Sequence, residues 1–170
     1  MIDRRRLCLG LGSAAALAGP ARAASWADGE NGLHIVVRKS RRKLMLVRAG
    51  VMLHTFPIAL GNNPKGTKRQ EGDGRTPEGR YAIDAFNEWS RYHRALHISY
   101  PNVDDRTRAH AQGYDPGGDI EIHGIENGLG WMGRLHRSID WTDGCIAVSD
   151  SEMDQIWDIV RLGTPVEIRP

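Results

Sequence analysis

Hydrophobic and polar positions along this chain alternate in short runs divided by turn formers. The segments LHIVVR (residues 33–38), KLMLVR (43–48) and VMLHTFPIAL (51–60) are rich in apolar and β-branched residues. Side chains alternate between faces along a strand, so runs of this kind read as strands with one buried face. The turn KSRRK joins the first pair and Ala49-Gly50 the second, which predicts an antiparallel meander. Strand-like runs resume at RYAID (80–84), RALHISY (94–100) and DIEIHG (119–124), and TPVEIR (164–169) ends the pattern with another.

Helical spacing is clearest near the end. Ser149 and Glu152 have the spacing of a capping box, Met153, Ile156, Trp157 and Val160 then fall on one helical face, and Gly163 is a natural stop. The stretch NVDDRTRAHAQG (102–113) has helix-compatible composition and predicts a short helix ending at Gly113. Residues 61–80 are dense in Gly, Pro, Asn and charge and predict a long loop, whose Lys65, Lys68, Arg69 and Arg75 read as solvated charges.

The first residues change the picture of where the chain works. Arg4, Arg5 and Arg6 precede an apolar run from Leu7 to Ala18, and Ala21-Arg22-Ala23 fits a small-x-small cleavage site. This predicts a secretory signal peptide over residues 1–23, since the run is shorter than the roughly 20 residues a spanning helix needs. Arg4-Arg5 resembles a twin-arginine signal, and Cys8 lies too early for a lipoprotein attachment site. Residues 24–32 then form a linker and 33–170 one domain of mainly β structure, exported to the periplasm or cell wall with no stable membrane anchor after cleavage. Losing four Arg and one Asp from 23 basic and 21 acidic residues leaves 19 and 20, so the formal charge moves from +2 to −1. A slightly acidic domain gives no footprint for nucleic acid.

Cleavage also leaves Cys145 as the one cysteine of the remaining chain. A small exported domain that used disulfides would carry an even number. Cys145 is therefore either an inert core residue or a reactive thiol. It opens the apolar run CIAV after Gly144, a few residues before the capped helix, where a side chain can face solvent and be held rigidly. A cysteine nucleophile needs a base, normally an imidazole, and one that holds it as thiolate makes it label rapidly near neutral pH. Among seven histidines, His123 ends DIEIHG, where alternation sets Glu121 and His123 on the face opposite Ile120 and Ile122. Gly124 leaves room for an approaching backbone. His136 is a second base candidate, placed in a loop. His93 and His97 are four apart, but on a strand that spacing does not make a metal pair, and neither a metal nor another cofactor is expected.

Two further segments carry a resemblance. IHG (122–124) followed by TDGCIAV (142–148) resembles the H-G … [S/T]-x-G-C-[I/V] signature of the L,D-transpeptidase catalytic-domain (YkuD-like) family. GDGRTPEGRYAI (72–83) resembles that family's T-P-x-G-x-[F/Y] segment, and YPNVDDRTRAHAQG is similar to a stretch found in a subgroup. The resemblance implies a β-sandwich of mixed sheets with one or two short helices. It implies Cys145 as nucleophile, His123 as general base, and Thr142 and Gly144 as shaping the nucleophile loop; the tetrahedral oxyanion needs donors, which the backbone N–H groups around Asp143, Gly144 and Cys145 are expected to supply. The implied substrate is a peptidoglycan stem peptide: the thiol attacks the carbonyl of the third residue, releases the terminal D-Ala, and an amine resolves the thioester into a cross-link. A stem peptide is the expected amine donor and a wall-attached protein a second one. Water in place of the amine gives an L,D-carboxypeptidase or hydrolase, and a wall-binding module without catalysis is the reading from another class.

Two positions depart from the family pattern S-H-G-C-[I/V]-R. Asp143 stands where His is usual and Ala147 where Arg is usual. The missing cation predicts that Arg134 or Arg137, just upstream, contacts the substrate carboxylate.

Overall fold

The computed structural model describes residues 30–170; the signal-peptide reading, the Arg4-Arg5 pair and residues 24–29 of the linker lie outside them. The predicted meander is present: β1 (Leu33–Arg38), β2 (Lys43–Arg48) and β3 (Val51–Pro57) pair antiparallel in sequence. The remaining elements are β4 (Gly79–Asn87), β5 (Ala95–Ile98), α1 (Val103–Ala111), β6 (Glu121–His123), β7 (Ile146–Ala147), α2 (Asp150–Ile159) and β8 (Pro165–Arg169). A stretch of 3-10 helix, Gly130–Ser138, was not signalled by any periodicity.

All eight strands form one mixed sheet in the order β3-β2-β1-β8-β4-β5-β6-β7. β8 lies parallel to β1 and antiparallel to β4, so the last strand joins the meander to the rest of the sheet. β4 is long enough to serve two neighbours. Gly79–Ala82 pairs with β8, Ile83–Asn87 pairs with β5, and the register shifts between Ile83 and Ala85 where it changes partner. A strand that changes partners at an irregularity is how a sheet turns a corner and packs on itself as a sandwich does.

The two edges then meet. The run predicted as strand 51–60 leaves β2 after Ile58, whose N–H still donates to Arg42 O at 3.1 Å, because residues 59–62 pair across the other edge. Ala59 and Ala147 exchange backbone hydrogen bonds at 2.9 Å each, Thr142 N–H donates to Leu60 O at 3.2 Å, and Asn62 N–H donates to Thr142 O at 2.8 Å. This closure fixes the segment around Cys145 from both sides.

One core fills the curl. Ile35, Leu44, Leu46, Ile83, Leu96, Ile98, Ile122, Ile146 and the α2 residues Met153 and Ile156 are fully buried. Each such side chain contributes about 1.5–3 kcal/mol by leaving water. α2 starts as the capping box predicts: the Ser149 N–H and Oγ both donate to Glu152 Oε2, at 2.9 and 2.7 Å. α1 has its own box, with Asp105 N–H donating to Asn102 Oδ1 (3.0 Å) and Asn102 N–H to Asp105 Oδ2 (3.2 Å). Among the described residues no helix is long and apolar enough to cross a membrane.

Candidate active site

Strand register decides which side chains share a face around Cys145. β6 and β7 run parallel with Ile122 opposite Ile146 and His123 opposite Ala147. β5 is antiparallel to β6, with Ala95 opposite His123 and His97 opposite Glu121. Directly opposed residues point the same way, and successive ones alternate. Ile122 and Ile146 therefore point into the core, and the other face carries two rows. One row is Ala95, His123, Ala147; the next is His97, Glu121 and then Cys145, one residue before β7. The alternation expected for DIEIHG holds, but its polar face is not wet: His123 is only 2% exposed.

The burial of His123 comes from aromatic neighbours. Tyr92 lies against it with ring centroids 4.6 Å apart and planes tilted by 35°, and Trp141 meets the imidazole edge-on at 5.7 Å. The His123 Nδ1 lies 2.7 Å from Gly124 O. A carbonyl can only accept, so Nδ1 carries the proton and Nε2 keeps its lone pair. Burial, the largest cause, lowers the His123 pKa to about 4; proximity of His136 lowers it further, and the Gly124 bond works the other way. The imidazole is neutral at pH 7.

Cys145 is half-buried, the free cysteine of the described residues. Its Sγ donates to Asp119 O at 3.4 Å and receives a hydrogen bond from the Glu121 backbone N–H; no hydrogen bond joins it to His123. Burial pushes the thiol up to about 12, the Glu121 N–H and Lys68 pull it down, and the carboxylates of Glu121 and Asp143 push it up further. The resting pair is thus a neutral thiol beside a neutral imidazole, not the ready thiolate that the sequence alone led one to expect.

The loop that presents the thiol is tied at each residue. Thr142 Oγ1 donates to Cys145 O at 2.7 Å and accepts from Gly144 N–H at 3.2 Å. That bond occupies the Gly144 N–H and leaves those of Asp143 and Cys145. Gly144 has φ +131, and a Cβ there would stand 2.7 Å from Arg75 O. Gly144 is needed for its contact with residues 74–76, at least as much as for any approach of substrate. Asp143 is exposed, with its Oδ1 3.4 Å from Asn62 Nδ2. Asp140, missed in the sequence, anchors the start of the loop: it receives Leu60 N–H at 2.9 Å and Arg42 Nη2 at 2.6 Å.

Of the charges expected to be solvated in residues 61–80, Lys65 and Arg69 are exposed, but Lys68 is buried and Arg75 half-buried, and the loop is fastened. Lys39 is buried and donates to Gly66 O, Thr76 O and Glu78 Oε1 at 2.5, 2.8 and 2.9 Å. Lys68, also buried, pairs with Asp73 at 3.1 Å, and Asp73 further accepts the N–H groups of Arg69, Gln70 and Arg75. Burial alone would raise the Asp73 pKa, but these bonds outweigh it and hold the carboxyl below its usual range.

The other expected substrate contacts divide. Arg137 is committed to Glu152 (3.0 Å) and Pro57 O (3.1 Å), which fixes its loop to α2 rather than offering a free cation. Arg134 is exposed. The backbone that comes close to Gly124 is the protein's own: a Cβ there would lie 3.2 Å from Tyr92 O and 2.7 Å from Asp150 Oδ1. His136 is buried beside Trp141, and neither of its ring nitrogens has a hydrogen-bond partner, nor does Trp141 Nε1. Both rings help line a largely apolar cavity of about 370 Å³ with Ile125, Leu129, Met132 and Leu135, and His123 is not among its lining residues. Tyr92 and Trp141 were missed as neighbours of His123; Trp141, three residues before Gly144, was the one with a positional signal. His93 and His97 face separate carboxylates, Asp154 and Asp84, at 2.8 and 2.5 Å.

Comparison with known proteins bears on the family and the fold. YafK of Escherichia coli (strain K12), named as a candidate L,D-transpeptidase, is 32% identical over 114 residues, which are 64% of this chain and 44% of YafK. The crystal structure of Pgp2, a helical cell shape determining protein from Campylobacter jejuni, superposes with a TM-score of 0.62 at 24% identity, over 81% of this chain and 47% of that one. An L,D-transpeptidase from Mycobacterium smegmatis superposes with a TM-score of 0.53 at 14% identity, over 81% and 58%. The chain thus spans under half the length of YafK and Pgp2, and at these identities the structural matches speak for the fold. The family model for the L,D-transpeptidase catalytic domain, YkuD, matches residues 32–168, nearly the whole described region. By that match this chain belongs to the YkuD family of L,D-transpeptidase catalytic domains.

Proposed function

We propose that this domain is an exported cysteine acyltransferase that acts on peptidoglycan stem peptides, with Cys145 as nucleophile and His123 as base. The observation that carries the reading is the shared face of β6 and β7. It sets a lone thiol and a neutral imidazole with a free Nε2 in adjacent rows at the rim of a rigid sheet. Because both groups rest neutral, His123 takes the thiol proton as sulfur attacks the carbonyl of the third stem residue. The same proton goes to the departing amine, and the terminal D-Ala leaves. The N–H groups of Asp143 and Cys145 are the donors for the oxyanion, a contribution worth about 3 kcal/mol for one such donor. An amine from a neighbouring stem, or from a wall-attached protein, then resolves the thioester into a cross-link; water yields the carboxypeptidase product. A role in cell shape, the property named for Pgp2, fits an enzyme that edits cross-links.

Neither Arg137, held by Glu152, nor Ala147, buried in the row beside His123, supplies the cation expected next to the thiol. Of the two arginines expected to meet the substrate carboxylate, the exposed Arg134 is the one left available, next to the apolar flank around Trp141. The test is incubation of residues 24–170 with defined disaccharide tetrapeptides, followed by mass spectrometry. Cross-linked dimer supports transpeptidation and tripeptide a carboxypeptidase. Unchanged tetrapeptide would leave a wall-binding module without catalysis.

A further inference from the structure

Glu121 stands between His97 and Cys145 in its row, and the reaction proposed above gives it no task. It is half-buried, and its carboxylate makes no hydrogen bond or ion pair among the described residues. Its oxygens are not sealed from solvent, so the carboxylate, next to Cys145 in the row, stays open to a cationic group from outside. The charged and titratable groups around it are His97 from β5 (itself on Asp84 of β4), Asp119 from the preceding loop, and Cys145 with Asp143 and Lys68 beyond it. Burial lifts the Glu121 pKa above the ordinary carboxylate range; His97 opposes this and Asp119 adds to it.

Proton counting shows what the proposed chemistry lacks. An acceptor amine arrives at neutral pH as R–NH3+ and ends as an amide nitrogen bearing one hydrogen. It must therefore lose two protons. One returns to sulfur through His123 as the C–S bond breaks and the C–N bond forms. The other has to leave before attack, because an ammonium has no lone pair, and a single imidazole cannot take both. Water needs no such first step: it brings its own lone pair and gives its one transferred proton to His123.

We propose that Glu121 is a second catalytic base, which receives the acceptor as an ammonium beside the Cys145 thioester and removes its first proton. The carboxylate attracts the cation, becomes a carboxylic acid as the free amine forms, and passes the proton on to solvent. The electron pair freed on nitrogen is the pair that attacks the thioester carbonyl. Glu121 thereby selects amines over water, and so sets the balance of cross-linking against hydrolysis. This inference rests on the acyl-transfer reading.

The test compares wild type with Glu121→Gln, using a disaccharide tetrapeptide as acyl donor and glycinamide as the acceptor amine. Intact-protein mass spectrometry follows the acyl-enzyme, and product analysis gives the ratio of glycinamide adduct to tripeptide. Both products come from one intermediate, so any change in acylation cancels in the ratio. The ratio is expected to fall at least about tenfold at pH 7 in Glu121→Gln. It should recover as pH rises and the acceptor becomes free base in solution, which a merely structural defect would not produce. An unchanged ratio, an equal loss at every pH, or a wild-type acyl-enzyme that yields tripeptide alone overturns the role of Glu121 and leaves the acyl-transfer reading standing. Absence of any acyl-enzyme in wild type overturns both.

Discussion

Two long loops flank Cys145, and they invert what their compositions imply. Residues 61–80 are charged and glycine-rich, yet they are fastened by buried Lys39 and Lys68 and by Asp73, with Thr76 Oγ1 accepting the Gly61 N–H. Residues 125–141 are rich in large apolar side chains, yet Trp131 is 77% exposed and Leu135 and Ile139 nearly as much. That second loop also seals in three ring nitrogens without partners, on His136 and Trp141. The charged loop is structural and backs the segment that carries Cys145, with Arg75 O against Gly144. On the proposed function, the apolar loop is the side that faces a ligand. Buried charge that is paired, as at Lys39 and Lys68, organises a backbone even though Arg75 Nε in the same loop has no partner, whereas exposed apolar area is what marks the second loop.

The largest effect that would break this contrast lies in the charged loop. Lys39→Met leaves Glu78 and two carbonyls without their donor and should destabilise the fold by about 3–5 kcal/mol in urea unfolding. A loss under about 1 kcal/mol would mean that the loop is held by something else.

The pH dependence comes next in size and belongs to the aromatic flank. The folded His123 pKa of about 4 lies below its ordinary 6.5, so between these values the unfolded chain binds a proton that the folded one refuses. Stability is full above about pH 6.5 and is lost as pH falls towards 4, by about 3 kcal/mol at most. His136, also lowered, first by burial and then by Arg137, changes in the same direction. Urea unfolding at a series of pH values checks this, and His123→Phe should flatten the slope. A stability that stays constant from pH 7 to 4.5 would contradict a buried neutral imidazole.

Smaller effects sharpen the other side. Trp131→Ala and Leu135→Ala should change stability by no more than about 0.5 kcal/mol, because both side chains are mostly in water. On the proposed function they should raise KM for a tetrapeptide several-fold with kcat little altered. His136→Phe removes two nitrogens that have no partner and should leave the melting temperature equal or higher. A clear drop in its melting temperature would show that those nitrogens are satisfied in solution, by water for example.

Much of the fold was legible because alternation and capping are local. β1, β2, the α2 capping box and the face of Met153, Ile156 and Val160 were all written in short windows. What was not legible depends on distant partners. The run ending at Leu60 could not announce that it leaves β2 for β7, since Ala59 meets Ala147 across 88 residues. Lys68 reads as a surface charge until Asp73 and the loop backbone close around it. The site divides in the same way. Cys145 and His123 stood out through a lone thiol and a strand-end imidazole, but the depth of His123 comes from Tyr92 and Trp141, which no spacing rule connects to it. Ala147 looked like a missing cation; the register shows it instead as the small neighbour that shares a row with His123.

The central claim is that Cys145 forms a thioester by giving its proton to His123. Intact-protein mass spectrometry after brief exposure to a disaccharide tetrapeptide, followed by rapid acid quench, measures it directly. The expected result is a mass increase equal to the donor less D-Ala, lost on hydroxylamine treatment, absent from Cys145→Ala, and at least about a hundredfold slower in His123→Ala. An adduct that persists in Cys145→Ala, or forms at an unchanged rate in His123→Ala, would contradict the account.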